Sequence, residues 1–209
     1  MRLIQNSFSL VVLGDWNKLY TQPDWIVDNI FNCNDMEIGV NFSNPVVGVS
    51  YKKDDIIIIP AQDKFTFSLS KIDHDSFCNL TKIINNFLKE AKTPVNIAYG
   101  FNIEYNDEDT SIFAHVIDSI SDSNALLGNN IEISSTEISR TLRINNKILN
   151  MMYMIDDSIS TIRFNEHHDI QNPLREIKIN VDSLNSFINQ CNKIVQLLGY
   201  ELEEEDENE

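Results

Sequence analysis

Glycine and proline are scarce in this chain, six and five among 209 residues, and no Gly-rich loop occurs. A phosphate cradle built from backbone N–H groups needs such a loop, so the usual nucleotide-binding designs are excluded. No apolar run approaches the roughly 20 residues that span a bilayer as a helix. Met1-Arg2 followed by the apolar stretch 8–13 has the outline of a signal peptide, but Gln5, Asn6, Ser7 and Ser9 interrupt it and no small-residue cleavage site follows. Basic residues are also few, 16 Lys and Arg against 32 Asp and Glu, for a net charge of -16. DNA and anionic lipid are held by clustered Lys and Arg, so nucleic acid is not an expected partner on its own and neither is a membrane; a basic or zwitterionic partner fits better. Three cysteines, Cys33, Cys78 and Cys191, are odd in number and far apart. They fit reduced thiols used as small hydrophobes, hence a cytoplasmic protein, rather than a disulfide framework.

What is present is enough apolar material for a substantial core, 42% of residues with 9% aromatic. The acidity is uneven. Seven carboxylates between Glu201 and Glu209 leave -9 over the first 200 residues, so the end reads as a separate, disordered solvating tail or, less commonly, an arm for a basic partner. Between Ser139 and Lys178 the balance approaches neutrality, with Arg140, Arg143, Lys147, Arg163, Arg175 and Lys178 against five acids. Arg140 and Arg143 are taken from that run as candidate partner contacts.

Periodicity organises the rest. The stretch 8–13 reads as a buried strand closed by Gly14-Asp15. Thr21-Gln-Pro23-Asp24 reads as a helix start, with Thr21 as cap and Trp25, Ile26, Ile30 and Phe31 docking it. From Met36 to Ser70 the alternation predicts three or four antiparallel strands, turning at Ser43-Asn44-Pro45, Lys53-Asp54-Asp55 and Gln62-Asp63. Asp73 or Asp75 can cap a helix over about 75–91, whose Phe77, Leu80, Ile84, Phe87 and Leu88 share one face. After Pro94, alternation from Val95 to Tyr105 is the cleanest strand pattern in the chain.

A short element is expected at 113–117, around His115. Strands follow near 131–145, 147–156 and 159–167, with turns at Asn145-Asn146 and Asp156-Asp157. Ile177, Ile179 and Val181 read as a last strand. Asp182 or Ser183 then caps a helix over 182–198 that Gly199 ends. The motif Tyr51-Lys-Lys-Asp54-Asp55 recurs as Tyr153-Met-Ile-Asp156-Asp157, each leading through an Ile-rich run toward a helix. The expected fold is therefore α+β, with antiparallel sheets in two similar halves (1–110 and 111–200), helices packed on one face, and an acidic tail at 201–209.

No catalytic, phosphate-binding or metal motif of usable specificity stands out, and no cofactor, catalytic residue or metal ligand is expected. Glu166-His167-His168-Asp169 has suitable side chains, but neighbours on a strand point to opposite faces, and no helical His-x-x-x-His pair exists. Asp73-His74-Asp75 suits helix capping, Asp54-Asp55 and Asp156-Asp157 suit turns, and His115 suits an apolar core. Trp16, Tyr20 and Trp25 concentrate aromatic surface before the first helix. Trp16 and Tyr20 are candidate anchors for a protein partner, with covering the edge of the core as the competing role for Trp16 and Trp25.

The strings Val11-Val-Leu-Gly14-Asp-Trp16-Asn17, Pro23-Asp-Trp25 and Tyr99-Gly-Phe-Asn102, with the acidic end, resemble a sporadically distributed family of uncharacterised bacterial α+β proteins. The resemblance implies service in mobile or defence loci beside a larger effector, and it supplies no catalytic residues. The leading expectation is a nonenzymatic cytoplasmic protein-binding subunit of a larger bacterial complex, set in antiphage defence, with self-association left open. Two alternatives stand beside it: an acidic immunity or inhibitor protein for a nuclease toxin or effector, and a metal-dependent hydrolase centred on His167, His168 and His74.

Overall fold

A computed structural model describes residues 1–33, 35–41, 48–91, 97–110, 135–145, 147–156, 159–170 and 179–203. The strands are β1 (Arg2–Leu3), β2 (Ser9–Leu13), β3 (Glu37–Asn41), β4 (Gly48–Lys53), β5 (Ile56–Pro60), β6 (Lys64–Leu69), β7 (Ile97–Asp107), β8 (Ser135–Ile144), β9 (Lys147–Asp156) and β10 (Ile159–Ile170). The α-helices are α1 (Pro23–Ile26), α2 (His74–Glu90) and α3 (Val181–Leu197). Ten antiparallel-dominated strands against two helices longer than one turn, among the described residues, correct the expected α+β fold of two similar helix-covered halves. The fold is dominated by its sheet.

Two physical causes account for the correction. The strands β7, β8, β9 and β10, ten to twelve residues each, join the others in a single ten-stranded sheet that holds more of the described residues than the helices do. The expected helix at Thr21 shrinks to one α-turn: the Thr21 hydroxyl donates to the Lys18 carbonyl instead of capping, and Gln22 at the cap position makes no side-chain bond. The chain then widens into a π-turn over Val27–Phe31 and stops at Asn32, which is left-handed at φ 49°.

The two long helices have better starts. Asp73 accepts the Ser76 N–H at 2.7 Å, and Phe77, Leu80, Ile84, Phe87 and Leu88 form the buried stripe of α2. For α3 the cap is Asn180 rather than the expected Asp182 or Ser183. Its Oδ1 accepts the Ser183 N–H at 2.8 Å while Ser183 Oγ accepts the Asn180 N–H at 3.3 Å, a reciprocal box. Val181 accordingly opens a helix and does not end a strand. Gly199, at φ 96°, supplies the left-handed stop.

The chain divides into two compact units, the larger holding 5–102 and 166–187 and the smaller 1–4, 103–165 and 188–209. In the larger, the strand order is β3-β4-β5-β6-β2-β7, followed by β10. Register sets Leu10 opposite Phe67 and Phe67 opposite Ile58, so one face collects Leu10, Val12, Ile56, Ile58, Phe65 and Phe67 in the interior. Phe77 and Phe87 of α2 dock there, with ring centroids 5.3 Å from Phe8 and 4.5 Å from Phe65. Each such buried side chain contributes about 1.5–3 kcal/mol.

In the smaller unit β1 pairs with β7, and the order runs β7-β10-β9-β8. β8 and β9 form a hairpin from Ser135↔Asp156 to Ile144↔Lys147, with Asn145 at φ 49° in its turn. Tyr105, Leu149, Met151, Tyr153, Ile162 and Phe164 are buried. The Met1 amine lies 2.8 Å from Asp107 and donates to the Glu201 carbonyl at 2.7 Å. The expected element at 113–117 with His115, the turns at Pro45 and Asp157, residues 131–134, Ile177 and the tail 204–209 lie outside the described residues.

Candidate functional site

Trp16 and Tyr20 belong to the larger unit, and the structure gives them different roles. Trp16 is 2% exposed and wedged between Phe65 and Phe87, at 5.7 and 4.8 Å, with its indole N–H buried and lacking an acceptor. It closes the core and offers no surface to a partner. Tyr20 is half-buried on a 3-10 turn, Lys18–Thr21, that Asn17 caps through the Leu19 N–H, and its ring lies 4.7 Å from Trp25. The Tyr51 hydroxyl donates to the Thr21 carbonyl at 3.0 Å, fastening this turn to β4. Burial raises the Tyr51 phenol above its ordinary pKa, so it remains a donor.

The same unit ends at β3, all five of whose residues are exposed. Ile38 lies opposite Tyr51 and Val40 opposite Val49, so both belong to the face that packs the core further along the sheet. At this edge that face is open. Ile38 is 53% exposed, Val40 49% and Leu19, on the turn bonded by Tyr51, 56%. The neighbouring carboxylates are paired: Lys53 donates to Asp35 at 2.9 Å, and Lys52 lies 3.9 Å from Glu37. The Lys53 hydrogen bond and charge lower the pKa of Asp35. Beyond β3 no strand continues the sheet among the described residues.

Arg140 and Arg143 belong to the smaller unit, both exposed on β8. Arg140 sits 5.9 Å above the Tyr153 ring, a cation–π geometry. Arg143, Asn145, Lys147 and Ile148 line an open hollow of about 340 Å³ at the hairpin turn. Arg163, counted among the cations of that stretch, pairs with Glu104.

The Glu166 to Asp169 cluster resolves by strand periodicity. Glu166 is fully buried, and two residues on, His168 meets it at 2.6 Å through Nε2. The imidazole stacks on Tyr99 at 4.4 Å and 11°, and lies 5.7 Å from Phe101. Desolvation first, and the Glu166 charge second, raise the Tyr99 pKa. His168 is thus a half-buried residue packed on Tyr99, whose ring nitrogen meets one oxygen of a buried carboxylate, while His167 takes the other face of β10. Asp54 adopts φ 52° in the β4–β5 turn and Asp55 accepts the Ser70 hydroxyl at 2.8 Å, as turn residues do. Among the described residues no three His, Cys, Asp or Glu side chains gather to hold a metal ion.

Sequence reasoning missed two arrangements with a legible signal. Glu166 and His168 are i and i+2 on a strand, hence on one face. His74 and Cys78 are i and i+4 on α2, and Nε2 lies 3.5 Å from Sγ. Cys191 is buried as expected, whereas Cys78 and Cys33 are half-buried and form no disulfide. No protein-family model, curated protein or solved structure matches the chain. No helix among the described residues is long and apolar enough to cross a membrane.

Proposed function

We propose that the protein is a nonenzymatic, cytoplasmic binding component that accepts an extended segment of a basic partner protein along residues 37–40 of β3. The observation that carries this reading is a terminal strand whose core-side face shows Ile38 and Val40 about half exposed. An added strand would satisfy backbone groups and cover those side chains with its own alternating apolar residues. Lys52 and Lys53 at this edge are matched by Glu37 and Asp35, which lessens their repulsion of a basic partner. The net charge of -16 draws a basic protein in from a distance. Three cysteines outside any disulfide support a reducing compartment.

The same charge favours a second reading, an acidic inhibitor covering the basic active site of a nuclease. The hydrolase reading gains no comparable support, because His168 is committed to Glu166 and Tyr99. The test is capture from the host of the wild type and of an Ile38→Lys, Val40→Lys variant, each at low and moderate salt. A stoichiometric partner held by the wild type and lost from the folded variant supports strand addition. A partner that ignores the variant but leaves steeply with salt favours the inhibitor, and recovery of the wild type alone overturns both.

A further inference from the structure

We infer that His74 and Cys78 form a binding site for one thiophilic divalent cation of the zinc class at the start of α2. Side chains four apart on a helix are neighbours on one face, the spacing by which paired histidines clasp zinc in helical metal sites. Here a thiol takes one of the two positions, and His74 Nε2 lies 3.5 Å from Cys78 Sγ. A tetrahedral zinc ion, about 2.0–2.1 Å from an imidazole nitrogen and about 2.3 Å from a thiolate sulfur, keeps those atoms about 3.6 Å apart. Right-angled coordination at the same bond lengths would need about 3.1 Å. The ring-to-thiol contact lies close to the tetrahedral requirement, so the two side chains need shift little to seat such an ion.

The ligand chemistry points the same way, since an imidazole and a thiolate together select zinc-like ions over magnesium or calcium. The pair is reachable from solvent, His74 being exposed and Cys78 half-buried. A cation there also meets negative charge. Asp73, the helix cap, and Asp75, in the first turn, place carboxylates on either side of His74. These carboxylates counter the positive end of the helix dipole and the nearby Lys71 ammonium, 2.9 Å from Asp73.

On binding, the thiol proton passes to solvent and the freed sulfur lone pair bonds the metal, while the neutral imidazole binds through Nε2 and keeps its proton on Nδ1. Before metal arrives, the contact between ring and thiol holds the two donors at nearly the required separation. Two protein ligands leave the remaining positions to water, an open clamp rather than a closed structural site.

Titration of the reduced full-length chain with Co²⁺ tests the site, because cobalt thiolates show a charge-transfer band and tetrahedral cobalt absorbs strongly in the visible. One equivalent should bind with both signatures, unchanged in Cys33→Ser. Cys78→Ser should abolish the charge-transfer band, and His74→Ala should weaken binding roughly tenfold or more. Both residues lie outside the core, and circular dichroism of each variant checks the fold. A band that persists in Cys78→Ser, one that His74→Ala leaves unaltered, or no band at millimolar Co²⁺ overturns the assignment.

Discussion

In the larger unit Phe87 alone touches Trp16, Trp25, Phe65 and Phe67, with centroids 4.5 to 6.5 Å away. In the smaller unit Tyr105 meets Phe164 edge-on at 5.8 Å, and the interior beside them is built from Leu149, Met151, Ile162 and Val195. Polar ties stand beside these contacts: the Tyr105 hydroxyl donates to Asn192 Oδ1 at 2.7 Å, and Ser160 Oγ donates to the Asp107 carbonyl at 3.3 Å. Interlocked rings bury much area with few rotatable bonds, so the larger unit depends on shape. The smaller has fewer such ring contacts among the described residues and adds a buried hydroxyl at Tyr105, a kind of group whose net worth is modest but whose loss is costly.

The strongest way to break that comparison is Phe87→Ala. The side chain is fully buried among four rings, so truncation should cost about 3–5 kcal/mol, read as a lower urea midpoint with an unchanged slope. A loss below about 1 kcal/mol would mean that the aromatic cluster rearranges and does not carry the larger unit. Tyr105→Phe probes the other side of the comparison. Burial pushes the Tyr105 phenol pKa well above its ordinary value, so it acts as a donor throughout the accessible pH range. Removing it strands Asn192 Oδ1 and should cost about 1–2 kcal/mol; a neutral result would show that water takes the place of the hydroxyl.

Next in size is the cap of α2. Asp73→Ala should cost about 1 kcal/mol. The folded carboxyl pKa is depressed from 3.8 to about 2, so its contribution is complete above about pH 4 and fades as the pH falls toward 2. Asp73→Asn, which still caps, should flatten the stability profile across that window. An Asp73→Asn profile as steep as the wild type would assign the acid sensitivity to other carboxylates.

Much of this architecture could be read from the chain because local chemistry and tertiary packing agree. The β4–β5 turn at Asp54-Asp55, the hairpin turn at Asn145, the strands at 147–156 and 159–170 and the two long helices all stand within a few residues of expectation. The misreadings have a common source in competition between local bonds. Thr21 has capping chemistry but spends its hydroxyl on Lys18, and Asn180 outcompetes Asp182 because Ser183 can answer it reciprocally. Which strands pair is a long-range property, decided only once partners are found, so the local patterns that place β7 through β10 do not by themselves show that sheet outweighs helix. The site residues were less legible. Trp16 and Tyr20 lie four apart in the chain, yet one contributes to the core and the other does not, and burial of that kind is decided by what folds over the loop.

The smallest expected effect sharpens the comparison from within the larger unit. Ile38 and Val40 share the face of the aromatic core but not its burial, so Ile38→Lys with Val40→Lys should change stability by only about 0.5 kcal/mol. A long side chain can keep its stem on the sheet and its ammonium in water. If these residues exist for packing, the double variant will lower the urea midpoint by far more than that and partner binding will fall only as the fold is lost. If they exist for recognition, the midpoint will hold while binding disappears, because each added ammonium must be desolvated beneath an incoming strand. A small change in stability beside a large change in binding is the outcome that separates an edge kept for a partner from the rim of a core.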